Sequence, residues 1–222
     1  MKTKTKLIIS VVLNFLIFIL AMFSILSSIL KGGDGNMDIY TGVELFVYFT
    51  IDSNLICAVA SIIYAIYNLI LLIKKDYEKE NKIIDLVKYI TTTAVFLTFT
   101  TVILFLDFIY GVFVFLGNNL FLHLLCPIMA VVSYIFFDSK RILKLKEVAL
   151  GLLPTVLYGI VYIIMVVVIG HDNGGWYDFY MLNIGGFWPV STVVMLGVTF
   201  GLGVLTNFIK KKYLKVGKQW KK

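Results

Sequence analysis

The chain opens MKTKTK (1–6) and runs on as LIISVVLNFLIFILAMFSILSSIL (7–30), three lysines followed by a stretch without a single charge. Coiled at about 1.5 Å per residue, that stretch outreaches a hydrocarbon core of about 30 Å. Lysines ahead of an apolar run also open signal peptides. This run is too long for one and no small-residue cleavage site follows it, so an uncleaved first membrane helix is expected. Further apolar runs lie at 44–73, 83–110, 119–137, 148–169 and 188–209. The 222 residues are 60% hydrophobic and 15% charged, with a mean hydropathy of +0.94. Soluble domains carry about half apolar and a quarter charged residues. The fold class read here is all-α: one domain, 1–222, an integral membrane bundle of six transmembrane helices.

Basic residues orient the bundle. Lys2, Lys4 and Lys6 precede the first span, and Lys74, Lys75, Lys79, Lys82 and Lys88 surround the second connection. Lys140, Arg141, Lys144 and Lys146 separate spans four and five, and seven lysines run from Lys210 to the end. Of twenty Lys and Arg, Lys31 alone falls elsewhere. By the positive-inside bias both termini are expected to be cytoplasmic, with 31–43, 111–118 and 170–187 as outer connections. The net charge of +7 is assigned to anionic inner-leaflet lipid at the Lys-rich tail rather than to nucleic acid. Abundant Lys with a single Arg fits a bacterial cytoplasmic membrane. Cys57 and Cys126 sit in different spans, which indicates no disulfide framework. No internal repeat supports an inverted-repeat transporter architecture.

Helical periodicity sorts the side chains within spans. In the second, Thr50, Ser53, Asn54, Cys57, Ser61, Tyr64 and Asn68 share one side, and Asp52 projects from nearly the opposite one. In the fourth, Asn119, His123, Cys126, Pro127, Ala130 and Tyr134 form the bundle-facing side, against Leu124, Leu125, Ile128, Val131, Val132 and Ile135 toward lipid. The third span carries threonine on two faces and is expected to sit centrally, its hydroxyls returned to its own backbone. Gly197 and Gly201 form a GxxxG packing spacing in the sixth.

The polar groups expected to line a cavity gather toward the outer half. Counted inward from span ends, Thr50 is about 9 Å deep, His123 about 6 Å and Asp107 about 5 Å. A threonine hydroxyl becomes a nucleophile when a base removes its proton, and a neutral histidine serves at physiological pH. Thr50 and His123 are that candidate pair. Ser53 or Asn54, one turn on, are candidate supports for an oxyanion, and Asp107 or Asn119 for the imidazole. Cys126 and Tyr134 extend the cavity wall, and Trp176, Tyr180 and Asn183 in the aromatic third outer connection are candidate lid residues. Pro127 has no N–H to return to the His123 carbonyl, so the helix should open there. A membrane threonine is most often structural, whereas an intramembrane ionisable group is functional by default. No G-x-S-x-G, H-E-x-x-H, Walker or paired C-x-x-C motif is present. No metal or other cofactor is expected.

The runs YFTIDSNL (48–55) and LHLLCP (122–127) resemble the androgen-induced family of multi-pass membrane hydrolases and its bacterial relatives. The similarity extends through most of spans two to six, including LPTVLY (153–158) and 176–183. It implies cleavage of fatty acid esters of hydroxy fatty acids, with Thr50 as nucleophile and His123 as its base, and a lipid ester drawn from the bilayer as partner. Departures are Ser133, where an acid is expected ten residues after the histidine, Asn183, where the loop usually has Asp, and a loop without prolines. The rival reading is a non-enzymatic proton or small-molecule transporter, or a lipid-binding membrane protein, using Asp52, Asp107 and His123.

Overall fold

The computed structural model describes residues 3–31 and 39–219, with side chains to 216. Lys2, Lys221, Lys222 and the 32–38 part of the first outer connection lie outside the described residues. Six helices are long and apolar enough to cross a membrane: α1 (Thr3–Lys31), α2 (Phe49–Lys74), α3 (Lys82–Phe115), α4 (Phe121–Asp138), α5 (Leu145–Ile169) and α6 (Trp188–Gln219). No strand occurs among the described residues. The chain is an all-α, multi-pass membrane protein.

Local chemistry sets the helix ends. Asn81 caps α3, its side-chain oxygen accepting from the Ile83 and Ile84 amides at 2.9 and 3.2 Å, which satisfies donors the first turn would otherwise leave unpaired. Lys75 ends α2 in the left-handed region (φ 56°). Beyond α5, the Met165 carbonyl accepts from both Gly170 and Trp176 amides at 3.2 Å. A Cβ on Gly175 would lie 2.0 Å from that carbonyl, so only glycine permits the fold-back.

Helix α3 is central, touching α2, α4, α5 and α6, while α1 packs on α2 and α4. Four of its threonines behave as expected: Thr91, Thr93, Thr98 and Thr100 each donate to a backbone carbonyl three or four residues earlier, whereas the buried Thr92 hydroxyl meets no partner among the described residues. The α2 stripe from Ser53 to Asn68 is buried. Ile135, expected to face lipid, is buried as well, because α4 widens there into a π turn that rotates its faces. Gly197 and Gly201 meet no neighbour; the glycine that allows close packing on α6 is Gly203, against the Tyr89 hydroxyl.

The bundle has two chemically different ends. At one, Thr3 meets Glu78, Lys140 pairs with Glu78, and Tyr213 of α6 packs on Phe136 of α4 and under Lys6. This basic end gathers both terminal helices. At the other, Tyr158 of α5 donates to the Val47 carbonyl at 2.6 Å and the Tyr177 amide to the Tyr40 hydroxyl at 3.1 Å. This is the aromatic end.

Candidate functional site

At the aromatic end, residues Gly42–Val47 form a 3-10 turn and Tyr48 adopts an extended conformation, so α2 starts at Phe49 rather than near residue 44. Thr50 therefore lies in the first turn, shallower along its helix than a start at 44 implies. It is half-buried, and its hydroxyl lies beside the Tyr180 phenol. That phenol also accepts from the Phe49 amide at 3.0 Å. Burial among aromatic rings pushes the Tyr180 phenol above its ordinary pKa, so it keeps its proton.

His123 is buried on a π turn, Phe121–Leu125, that opens α4 immediately before Pro127. The opening expected at the proline takes this form. In the wider register Pro127 stands five residues after Leu122 and has no N–H to offer its carbonyl. Asn54 supplies the donor from α2: its Nδ2 reaches the Leu122 carbonyl at 3.0 Å and the Thr50 carbonyl at 2.8 Å. One amide thus ties the turn bearing Thr50 to the residue beside His123. Both Asn54 donors are engaged, and its Oδ1 is buried without a hydrogen bond.

The His123 ring is held by the backbone. Nδ1 lies 2.6 Å from the Val114 carbonyl. A carbonyl can only accept, so Nδ1 carries the proton and Nε2 is the basic nitrogen. The sequence named Asp107 or Asn119 for this orienting role, but neither side chain makes a hydrogen bond or ion pair among the described residues. The buried asparagine is the neighbouring one: Asn118 donates to Ser28 of α1 at 3.1 Å, and its carbonyl accepts from the Phe121 and Leu122 amides. Its place just ahead of the first turn of α4 is the signal that could have found it. Ser53 donates to the Thr50 carbonyl and shares a 2.9 Å hydrogen bond with Thr98. Asp52, whose role the sequence left open, makes no side-chain hydrogen bond or ion pair among the described residues.

The third connection packs on α5 at this end. Tyr180 packs on Tyr162 and Phe179, with ring centroids 5.5 and 4.7 Å apart, and Trp176 lies 6.5 Å from Tyr158. The organiser is Asp178, which was not singled out from sequence. It accepts from the Tyr162 hydroxyl and from the Leu182 and Asn183 amides. Asn183 contributes its backbone, and its side-chain oxygen is buried without a partner.

Two sequence candidates belong elsewhere. Cys126 is packed among Ala21, Ile25, Ala58 and Leu122, a small hydrophobe in the core. Tyr134 lies eleven residues beyond His123, roughly 16 Å along the helix, with Lys210 Nζ 3.6 Å from its ring centroid. It is part of a second polar concentration at the basic end, where Lys88, Lys210, Asp85 and Asp138 are all buried. Lys88 donates to Ser61 at 2.6 Å inside the bundle instead of flanking the second connection. Lys210 lies between Asp85 (3.9 Å) and Ser139 (3.4 Å) instead of meeting lipid with the tail. Charge counting places lysines by chain position and is blind to which way they turn. The expectation that cavity-lining polar groups concentrate at the outer half is corrected accordingly.

Among the described residues no group of three or more His, Cys, Asp or Glu could hold a metal ion. Compared with family models, curated proteins and solved structures, the chain finds no match.

Proposed function

We propose that this membrane protein hydrolyses lipid esters within the bilayer, with Thr50 as nucleophile and His123 as base. One observation carries the reading: His123 is held by Nδ1 in the tautomer a general base requires, on a turn that Asn54 ties to the carbonyl of Thr50. The resemblance of 48–55 and 122–127 to the androgen-induced hydrolases supports the same pair. In this reading the Thr50 hydroxyl oxygen attacks the ester carbonyl while Nε2 of His123 takes its proton. The tetrahedral intermediate expels the alcohol, which receives that proton, and water then hydrolyses the acyl-threonine with His123 again as base. Oxyanion support, expected of Ser53 or Asn54, passes to Tyr180. Asn54 has committed both donors, whereas the Tyr180 phenol keeps its proton beside the Thr50 hydroxyl.

With the basic end cytoplasmic, the ester arrives from the outer leaflet under the lid of Trp176 and Tyr180. The exposed Lys211, Lys212 and Lys215 then meet anionic inner-leaflet lipid. The test is covalent labelling of the purified protein by an acyl-type activity probe. Thr50→Ala should abolish labelling, and His123→Ala should slow it about 100-fold or more. Unchanged labelling in a folded Thr50→Ala protein would overturn the assignment.

A transporter reading draws on Lys88, a lysine with no exposed surface inside the bundle. It requires no labelling at all and loss of pH-dependent flux in Asp107→Asn.

A further inference from the structure

Residues 178–183 of the third outer connection carry Tyr180 to the first turn of α2, and one oxygen on α5 fastens them there. Asp178 closes the segment on itself. Its Oδ1 accepts from the Leu182 amide and its Oδ2 from the Asn183 amide, both at 2.8 Å, and its backbone carbonyl accepts from the Met181 amide at 3.0 Å. Met181 is held at φ 53°, in the left-handed region that few side-chain-bearing residues adopt. The closed segment meets α5 at the Tyr162 hydroxyl, on a residue only 2% exposed. That oxygen accepts from the Tyr180 amide at 3.1 Å, and its own proton goes to Asp178 Oδ1 at 3.0 Å. An amide N–H can only donate, so the direction of both bonds is fixed.

Tyr180 is thereby held at two points. Its backbone N–H is on Tyr162, and its phenol oxygen accepts from the Phe49 amide at 3.0 Å, beside the Thr50 hydroxyl. The first turn of α2 leaves the Phe49 amide without a helical partner, so the phenol caps that helix as it reaches Thr50. Ring packing on Tyr162 and Phe179 adds bulk, but stacked rings tolerate a slide that a hydrogen bond does not. A donor stabilises an oxyanion only when it is aimed at the place where the charge develops, and a misplacement of about 1 Å can cost about 100-fold in rate. We infer that the Tyr162 hydroxyl, its proton taken up by Asp178, is the positioning group that sets the Tyr180 phenol against Thr50 for acyl transfer. Neither Tyr162 nor Asp178 touches a reacting atom; both act through Tyr180. The inference rests on the reading of Thr50 as nucleophile and Tyr180 as oxyanion donor.

The test is steady-state hydrolysis of p-nitrophenyl decanoate in detergent micelles by the purified full chain, followed as p-nitrophenolate release and corrected for the folded fraction. Tyr162→Phe removes one oxygen and keeps the ring. It should lower kcat about 10- to 100-fold with KM within about twofold, the pattern of an interaction made in the transition state. Tyr180→Phe should lower kcat at least as much. Adding Tyr162→Phe to Tyr180→Phe should cost less than about twofold more, because a group that acts through the phenol then has nothing left to position. Equal losses in the two backgrounds would reveal a role in stability alone and overturn the inference, as would an unchanged kcat in either single variant. Should Tyr162→Phe not fold, Asp178→Asn carries the same pair of measurements, since it sets an NH₂ against either the Asn183 amide or the Tyr162 proton. Turnover lost in Thr50→Ala but kept in Tyr162→Phe overturns this inference alone. No turnover by the wild type, or turnover undiminished in Thr50→Ala, overturns the hydrolase reading and this inference with it.

Discussion

Helix α4 carries a π turn near each end, and the two turns do opposite things. The one at the aromatic end bears His123, with its ring fixed by a backbone carbonyl and its neighbouring carbonyl rescued by Asn54. The one at the basic end brings Asp138 into a network of Ser10, Asn14 and Ser133, beside buried ion pairs. A wider helical turn exposes backbone groups and swings side chains off their α-helical stripe; in one place it presents the proposed base and in the other it cross-links helices. The difference teaches that buried polarity in this bundle has two purposes. At the π turn of the aromatic end the His123 ring and its neighbour are held through backbone carbonyls; at that of the basic end side chains hold one another and the helices that carry them.

If that division is right, the largest loss of stability comes from the basic end. Asp85→Ala strands Lys210 as a buried charge, while Arg141 keeps Glu147, and should cost about 3–5 kcal/mol, read as a fall in Tm in detergent. Its rate of probe labelling, measured below that lower Tm, should hold near wild type. Asn54→Ala comes next, removing donors from the Thr50 and Leu122 carbonyls at a cost of about 1–3 kcal/mol. Here labelling should fall by more than the loss of folded protein explains, and labelling that tracked stability alone would erase the contrast between the two ends. Tyr180→Phe withdraws the acceptor from the Phe49 amide and the donor proposed for the oxyanion. A stability change of about 1 kcal/mol with a disproportionate drop in labelling rate would sharpen the assignment. Smallest is Asp107→Asn, whose side chain holds no partner among the described residues: about 0.5 kcal/mol or less and unaltered labelling are expected. A lost pH-dependent flux there would turn the argument toward transport.

Legibility from sequence varied with the range of the interaction. The spans were visible because apolar length is a local property, and α6 begins at Trp188, the residue read from the chain. The start of α2 was missed by several residues because the 42–47 stretch is also helical, and only the extended Tyr48 separates the two. The opening before Pro127 could be derived from a missing N–H, whereas its repair by Asn54 could not, because the donor comes from another helix. The Val114 carbonyl was hidden for a related reason: any residue offers one, so no side-chain type advertises it. Lys88 was read as a flanking charge, since chain position cannot tell a lysine that reaches for water from one that turns inward.

What the amino-acid order determined by itself is the class of molecule: lengths of uncharged sequence leave the backbone no economical course in lipid except the helix. The α2 and α4 stripes followed from 3.6-residue periodicity, again a property of one helix at a time. The tertiary structure decided which polar groups meet, that Asn54 spans from Thr50 to Leu122, and that Asp138 is surrounded by residues from α1 as well as α4. Hydrogen bonds reach only about 3 Å, so partners distant in the chain become neighbours only when the helices have packed.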